Sequence, residues 1–442
     1  MKASIVPSER TVPHPTERHA GVADRWLRAR VFARLAALRR GQLTIEDGDG
    51  QHVFGESNPG ELRARVRVLD PRSYLRIAVR GTVGAGEAYI HGWWISDDLT
   101  ALMRLFARNR ELLDGMERGL AALGMPMLRL YHRLRRNTRK GSELNIAAHY
   151  DLGNDFYRLW LDSTMTYSCA VFEGADWSLE QAQEAKYDRI CRRLQIGPED
   201  HVLEIGSGWG GFALHAAGRY GCRVTTTTIS RAQYQLARER VRAAGLDHRI
   251  TVLQQDYREL QGSYDKLVSI EMFEAVGHEN YHRYFEICER RLKPGGAMLL
   301  QTITIAESQF EQALGSVDFI QRYIFPGGCL PALSALARAA GEASSLSLTH
   351  LEELGLHYAE TLRRWREAFE ARLEEVRALG FNEAFVRMWR FYLSYCEGGF
   401  DERAIGTVQV RFEKPASPNL SSQRAMARSR VIARERIARD VC

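Results

Sequence analysis

The apolar run His201-Val202-Leu203 leads straight into Glu204-Ile205-Gly206-Ser207-Gly208-Trp209-Gly210-Gly211, and a helix-like stretch, 212–217, follows. A strand that ends in clustered glycines and resumes as a helix brings backbone very close to a nucleotide-like ligand, because glycine adds no side chain and tolerates left-handed backbone. Spacing alone does not choose the ligand, since glycine turns also serve as plain strand-to-helix connections. The surroundings constrain the fold further. From about residue 180 the pattern predicts helix 180–194, strand 201–205, helix 211–219, strand 222–228, helix 230–243, strands 250–254 and 266–270, and helix 279–291. Lys293-Pro294-Gly295-Gly296 then breaks the chain before strand 297–303. Repeated βαβ units predict an α/β fold, a Rossmann-like, mostly parallel sheet that binds ligands at the carboxyl ends of its strands. Residues 305–400 read as a largely helical, aromatic-rich insertion covering that edge, and 407–412 as a final strand returning to the sheet.

Upstream, the pattern is different. Residues 1–20 hold Pro, Ser, His and charges without periodicity and are expected to be disordered. Leu27, Val31, Leu35 and Leu38 recur at helical spacing over 23–40, with arginines on the other faces; core packing and an interfacial lipid contact both suit them. An Asp47-Gly48-Asp49-Gly50 turn, then 64–68 and 75–79, show alternation that suits a half-buried sheet, and Asp97-Asp98 opens a helix. The expected organisation is a disordered start (1–20), a small α+β domain (21–127), a basic linker (128–145), the large α/β domain (146–412) and a basic tail (413–442).

Composition narrows the class. The chain has 442 residues, 45% of them apolar and 26% charged, as in ordinary soluble domains. No apolar run is long enough to span a bilayer, and no signal-peptide core opens the sequence, so a cytoplasmic protein is expected. Seven cysteines without a CxxC pair argue for reduced thiols and against a metal site. The net charge of +6 is concentrated in Arg129, Arg133, Arg135, Arg136, Arg139 and Lys140, and again in Arg424, Arg428, Arg430, Arg434, Arg436 and Arg439. Such stretches serve as solvated linkers or attract polyanions; without a nucleic-acid-binding signature, an anionic membrane surface is the expected partner rather than nucleic acid.

The second strand ends Thr226-Thr227-Thr228-Ile229-Ser230 and lacks the acid that would hold a nicotinamide cofactor's ribose. An acid stands instead inside the first strand, Glu204, ahead of Gly206, Gly208 and Gly210. The third strand ends Gln255-Asp256-Tyr257, which suits an adenine edge. Acid-x-Gly-x-Gly-x-Gly followed by that strand-end acid and a Lys-Pro-Gly-Gly break resembles S-adenosylmethionine (AdoMet) methyltransferases. Glu204 would then orient backbone donors and the ligand's ammonium, and Thr228, Ser230 and Gln233 would reach the ribose, although Ser230 is equally a good helix N-cap.

The acceptor is indicated by longer motifs. No Asn/Asp-Pro-Pro-aromatic segment follows the fourth strand, which disfavours methylation of a base nitrogen. His149-Tyr150-Asp151-Leu152-Gly153-Asn154, Met165-Thr166-Tyr167-Ser168-Cys169-Ala170, Met272-Phe273-Glu274-Ala275-Val276-Gly277 and Tyr323-Ile324-Phe325-Pro326-Gly327-Gly328 resemble the cyclopropane-fatty-acyl-phospholipid synthase family, which includes the mycolic-acid cyclopropane synthases. Gly86-Glu87-Ala88-Tyr89-Ile90-His91-Gly92-Trp93-Trp94 resembles the lipid-binding N-terminal domain of its phospholipid-acting members.

The resemblance implies AdoMet as methyl donor and the cis double bond of unsaturated phospholipid acyl chains as acceptor. The resulting carbocation would lose a proton to a bound bicarbonate ion. Carried over, the bicarbonate cluster is Cys169, Glu274, Ile303 through its backbone, and Tyr358; Tyr167 and Ser168 would touch AdoMet. A fifth position, usually His, is Gln301, whose amide donates a hydrogen bond but cannot shuttle a proton. That departure leaves a methyl-branched product open beside the cyclopropane, as well as a non-catalytic lipid-binding homologue. Oligomeric state stays open, a homodimer included.

Overall fold

The computed structural model describes residues 21–112, apart from 57 and 59, and residues 152–416. The expected disordered start, the basic linker and nearly all of the basic tail lie outside the described residues.

The N-terminal part runs α1 (Val22–Leu35), β1 (Gln42–Asp47), β2 (Gly50–Gly55), β3 (Arg63–Val68), α2 (Arg72–Ile90), β4 (Trp94–Ser96) and α3 (Leu99–Arg108). Its sheet has the order β2-β1-β3-β4. In β3 the alternation expected from sequence holds, with Ala64 and Val66 buried between exposed Arg63, Arg65 and Arg67. Leu27, Val31 and Leu35 of α1 are buried, which is the core reading of that stripe. Asp98 caps α3 by accepting from the Ala101 amide at 2.8 Å.

One expectation fails here. Leu75 to Val79 lies inside α2 rather than on a strand. Pro71 stands just before the helix, and the Asp70 side chain accepts from the Arg72 amide at 2.9 Å, so the first turn is preset and capped. The alternating apolar residues are not a sheet face, and Leu75 is exposed while neighbouring Tyr74 is buried.

The larger part contains α4 (Asn154–Arg158), α5 (Leu179–Leu194), β5 (His201–Ile205), α6 (Gly211–Tyr220), β6 (Arg223–Thr228), α7 (Arg231–Ala243), β7 (Ile250–Gln254), β8 (Tyr264–Ile270), α8 (Tyr281–Arg291) and β9 (Leu292–Ile305). After these come α9 (Glu307–Leu314), α10 (Phe319–Tyr323), α11 (Leu333–Ala343), β10 (Ser347–Glu353), α12 (Gly355–Ala371), α13 (Leu373–Ala378), α14 (Glu383–Asp401) and β11 (Ile405–Glu413). The sheet order is β10-β11-β9-β8-β5-β6-β7. β5 pairs parallel with both β6 and β8, while β11 returns antiparallel to β9. Strand order thus reverses at β5, and the crevice expected for a ligand opens at the ends of β5 and β8.

Two details differ from the sequence reading. β10 is a strand within the segment read as helical; it is an edge strand with Leu348 and Leu351 exposed, so no burial alternation announces it. The Lys293–Gly296 break sits inside β9: Tyr264 pairs Leu292 and Lys266 pairs Ala297, so residues 293–296 bulge out of the ladder.

The N-terminal part docks on the helical cover. A Cβ at Gly86 would come within 2.5 Å of the Phe319 ring, so this close approach requires glycine. Phe319 in turn contacts Phe391 at 4.5 Å between centroids, and Glu402 receives Arg104 and Arg108 at 2.8 and 2.6 Å. Buried Glu87 binds Arg80 at 2.6 Å and accepts from the Tyr323 hydroxyl at 2.8 Å. The 86–94 motif therefore joins the two parts.

Candidate active site

The glycine turn sits at the end of β5, pinned by the Gly206 and Ser207 amides donating to the Thr227 carbonyl at 3.0 and 2.9 Å. Gly206 and Gly210 have φ of +96° and +88°, a region that other residues enter only with strain. A Cβ at Gly208 would meet nothing within 4 Å, so the turn faces open space there. Beneath it, Glu204 is only 2% exposed and its Oε2 has no hydrogen-bond partner. Burial pushes its carboxyl up to about 8, so the ligand-free group is mostly protonated at neutral pH.

Across the crevice, the segment after β8 touches the turn: a Cβ at Gly206 would lie 3.1 Å from that of Met272. Glu271, immediately before Met272, has φ +49° and donates its amide to the Gln301 carbonyl at 2.8 Å. Its carboxylate collects three donors. The Cys169 amide and Gln301 Nε2 reach Oε1 at 2.9 Å each, and the Tyr358 hydroxyl reaches Oε2 at 2.6 Å. Gln301 is fixed by Gln409 Nε2, which donates to its Oε1 at 3.0 Å. Glu274, one turn on, accepts the Ile303 amide on Oε1 at 2.5 Å and leaves Oε2 buried without a partner.

Electrostatics separate the two acids. Burial first, then the charge of Glu271, pushes Glu274 up to about 8. Burial raises Glu271 too, but Tyr358, the Cys169 amide, Gln301 and the ammonium of Lys186 oppose the rise. Lys186 is fully buried on α5, donates to Ser168 Oγ at 2.6 Å and is pushed down to about 8 by burial against the pull of Glu271. Glu274 is therefore held toward its protonated form, while three donors and the Lys186 ammonium favour the charged form of Glu271 against the effect of burial. Desolvation holds the Cys169 thiol well above its ordinary value, so it is no nucleophile.

A family model described as mycolic acid cyclopropane synthetase matches residues 137–410. The chain belongs to that family. It is 40% identical over 350 residues to the tuberculostearic acid methyltransferase UfaA1 of Mycobacterium tuberculosis, covering 78% of this chain and 81% of the relative. It is 38% identical over 358 residues to the cyclopropane-fatty-acyl-phospholipid synthase of Escherichia coli K12, covering 80% and 89%. Among solved structures, the mycolic acid cyclopropane synthase CmaA1, complexed with SAH and CTAB, superposes with a TM-score of 0.58 at 34% identity, over 62% of this chain and 98% of that one. The protein is an AdoMet-dependent methyltransferase of this family, on the expected α/β fold.

AdoMet, as substrate, fits what the residues offer: a glycine turn with open space at Gly208 and, at Glu204, a buried acid with one oxygen lacking a hydrogen-bond partner for its cationic part. Bicarbonate does not fit. The Cys169 amide, Gln301 and Tyr358, expected to hold it, are spent on Glu271, and the Ile303 amide is spent on Glu274. A second anion there would meet the Glu271 carboxyl, and the only one of these groups left with a donor to offer it would be the unpartnered Oε2 of a protonated Glu274.

The remaining expected residues divide. Tyr167 lies in the aromatic wall, its hydroxyl 2.8 Å from that of Tyr392, and Ser168 is engaged by Lys186. Thr228, Ser230 and Gln233 bond one another: Thr228 Oγ1 donates to Gln233 Oε1 at 2.8 Å, and Ser230 Oγ caps α7 by accepting the Gln233 amide at 3.3 Å. All three are buried. Asp256 is engaged by Arg258 at 2.5 Å, Gln255 donates to the Glu259 carbonyl at 3.1 Å, and Tyr257 packs on Tyr284 at 5.6 Å. No metal-holding cluster occurs among the described residues.

Sequence reading passed over Glu271 and Lys186. Glu271 was visible as a second acid three positions before Glu274 in an otherwise apolar stretch. Lys186 had a fainter signal, a single cation on the face of α5 shared by Ala182, Ile190 and other buried residues.

Proposed function

We propose that this enzyme transfers the AdoMet methyl carbon to the cis double bond of an unsaturated phospholipid acyl chain and closes a cyclopropane ring. The alkene π pair attacks the methyl carbon, and the sulfur–carbon bond breaks with its electrons on sulfur. The resulting carbocation then surrenders a proton inside the pocket. The observation that carries this reading is the pair of half-buried acids, Glu271 and Glu274, held against the glycine turn through Met272.

Aromatic rings suit the cation. Tyr358 stacks on Phe400 at 4.4 Å and meets Trp365 at 6.0 Å, which also contacts Tyr167 at 5.2 Å. Such faces stabilise positive charge and exclude the water that would trap it as an alcohol. Glu204 and the turn position the donor; protonated Glu274 and the Ile303 amide fix the wall opposite.

A second reading, a methyl-branched chain, is favoured by Gln301 and by the 40% identity to a tuberculostearic acid methyltransferase. Both routes lose one proton, so the products share a mass. Lipid mass spectrometry after expression in a cyclopropane-free host separates them: ring formation leaves no alkene and no branch-type fragmentation. Unchanged host lipids would overturn both readings.

Substrate access is proposed to occur at the inner face of the membrane, with the basic stretches at 128–140 and 424–439 holding the cytoplasmic enzyme on anionic phospholipid. Each well-placed Lys or Arg contributes about 1 kcal/mol to such attachment. No described helix is long and apolar enough to cross a bilayer. Liposome flotation should require anionic lipid and weaken with salt; salt-insensitive binding would remove this part.

A further inference from the structure

We infer that Glu271 is a built-in general base, occupying the place of the bicarbonate ion expected from the family and taking the proton that the cationic intermediate must lose. This rests on the alkene-methylation reading above.

The geometry supplies the reason. Cys169, Gln301 and Tyr358 are three of the residues expected to hold an external anion, and the Cys169 amide, Gln301 Nε2 and the Tyr358 hydroxyl all converge on one internal carboxylate. Oε1 has both lone pairs engaged. Oε2 accepts only Tyr358 among the described residues, so one lone pair stays open for a proton. The chain has also replaced a residue able to take a proton, the usual His, with Gln301, whose amide donates to Glu271 and takes none. Basic capacity missing at 301 is restored at 271. The Gln301 amide is oriented by Gln409, so its NH2 end is directed at Glu271.

Backbone conformation adds an independent argument. Glu271 has φ +49°, a left-handed conformation that costs a side-chain-bearing residue energy and suits glycine. Structure alone would favour glycine at this point, so the carboxylate is held against local preference. Lys186, buried on α5 and pulling on Glu271, offsets the cost of keeping the acid ionised without water.

The step balances. Methyl transfer leaves S-adenosylhomocysteine and a carbocation. Glu271 Oε2 then removes a proton from the transferred carbon, and that C–H electron pair forms the third ring bond. In the branching route, a hydride shift first moves the cation to the methyl-bearing carbon, and the pair then forms a C=CH2 double bond between that carbon and the transferred one. Glu271 ends as the carboxylic acid and returns its proton to water when products leave.

The test uses the full-length enzyme with AdoMet and vesicles of cis-monounsaturated phosphatidylglycerol. Lipid product is read by mass spectrometry in carbon-dioxide-stripped buffer, with and without millimolar bicarbonate. Wild type is expected to turn over at the same rate in both. Glu271→Gly, which also relaxes the backbone, should lose about 100-fold in stripped buffer and recover at least tenfold with bicarbonate, because its donors are then free. Glu271→Gln, closer in shape, should lose about 100-fold without rescue, while calorimetry shows AdoMet binding within threefold of wild type.

Bicarbonate-dependent turnover by wild type, or near wild-type turnover by Glu271→Gln, would overturn the inference while leaving alkene methylation standing. Absence of lipid product from wild type in every buffer would take down both. Should Glu271→Gly fail to fold, the wild-type and Glu271→Gln arms decide.

Discussion

Glu204, buried inside β5, and Glu271, half-buried just past the end of the adjacent β8, both stand at the carboxyl edge of one sheet, yet their surroundings differ. Glu204 has an oxygen with no partner and lies below a turn with room for a ligand. Glu271 is satisfied by three donors, and the buried Lys186 ammonium acts on it more strongly than on Glu204. On the proposed reading, the first acid is completed when the cationic donor arrives, and the second is arranged in advance by its hydrogen bonds. On that reading one site would spend stability to recognise a donor, and the other would use stabilising contacts to preorganise a base.

The largest effect expected from this contrast is on the chemical step. Glu274→Gln keeps the size of the side chain but removes the protonated acid opposite Glu271. Product formation should fall about 100-fold with AdoMet affinity unchanged, read by lipid mass spectrometry and calorimetry. A parallel loss of AdoMet affinity would assign Glu274 to the donor site and erase the division of labour.

Substitution of the two contrasted acids should move stability in opposite directions. Glu204→Gln removes a buried acid with an unpartnered oxygen, so the ligand-free protein should melt higher, while AdoMet binding weakens by about 10- to 100-fold, or about 1.4–2.8 kcal/mol. Glu271→Gln keeps an oxygen for the Cys169 and Gln301 donors but turns an NH2 toward the Tyr358 hydroxyl and removes the charge that all three favour, so it should lower stability by about 1 kcal/mol. Thermal unfolding of the ligand-free variants checks both signs. Equal shifts would mean that the two environments do not differ.

Much of this was legible in the sequence, for identifiable reasons. Strands buried on both faces and flanked by helices announce themselves, so β5 through β9 lie within a few residues of expectation. Glycines 206, 208 and 210 fixed the turn because their backbone demands are local. Edge strand β10 gave no signal because its apolar residues face water. Segment 75–79 misled because four residues of alternation do not distinguish a strand from the exposed side of a Pro-initiated helix. Glu271 was missed for a deeper reason. Its meaning depends on Cys169, Gln301 and Tyr358, which come from three distant segments and meet only in the folded sheet.

A pH experiment sharpens the same contrast at the donor site. The folded Glu204 carboxyl is raised from an ordinary 4.5 to about 8, so between these values the folded state holds a proton that the unfolded state has released. Stability of ligand-free enzyme therefore falls as pH rises through that window. The difference in melting temperature between Glu204→Gln and wild type should grow from about pH 5.5 to about pH 8.5. AdoMet's positive charge draws the proton off, so binding near neutrality should release protons. Calorimetry in two buffers of different ionisation enthalpy measures this, and Glu204→Gln should abolish it. A pH-independent difference with no proton release would place Glu204 away from the ligand's charge.

The smallest effect concerns Ser230, where two roles compete. Its Oγ accepts the Gln233 amide at the start of α7, the geometry of an N-cap. Ser230→Ala should cost about 1 kcal/mol of stability for that reason alone. Its Oγ keeps further hydrogen-bonding capacity, which a ribose hydroxyl of AdoMet would use, so the same variant measures a second quantity. If the cap is the whole role, AdoMet affinity stays within about twofold once unfolding is accounted for; a ribose contact adds a tenfold loss, about 1.4 kcal/mol. The buried Thr228–Gln233 bond closes this corner of the crevice, and the first outcome is expected. Specificity for the donor would then rest on Glu204 and the glycine turn, with the strand-end hydroxyls serving the helix they begin.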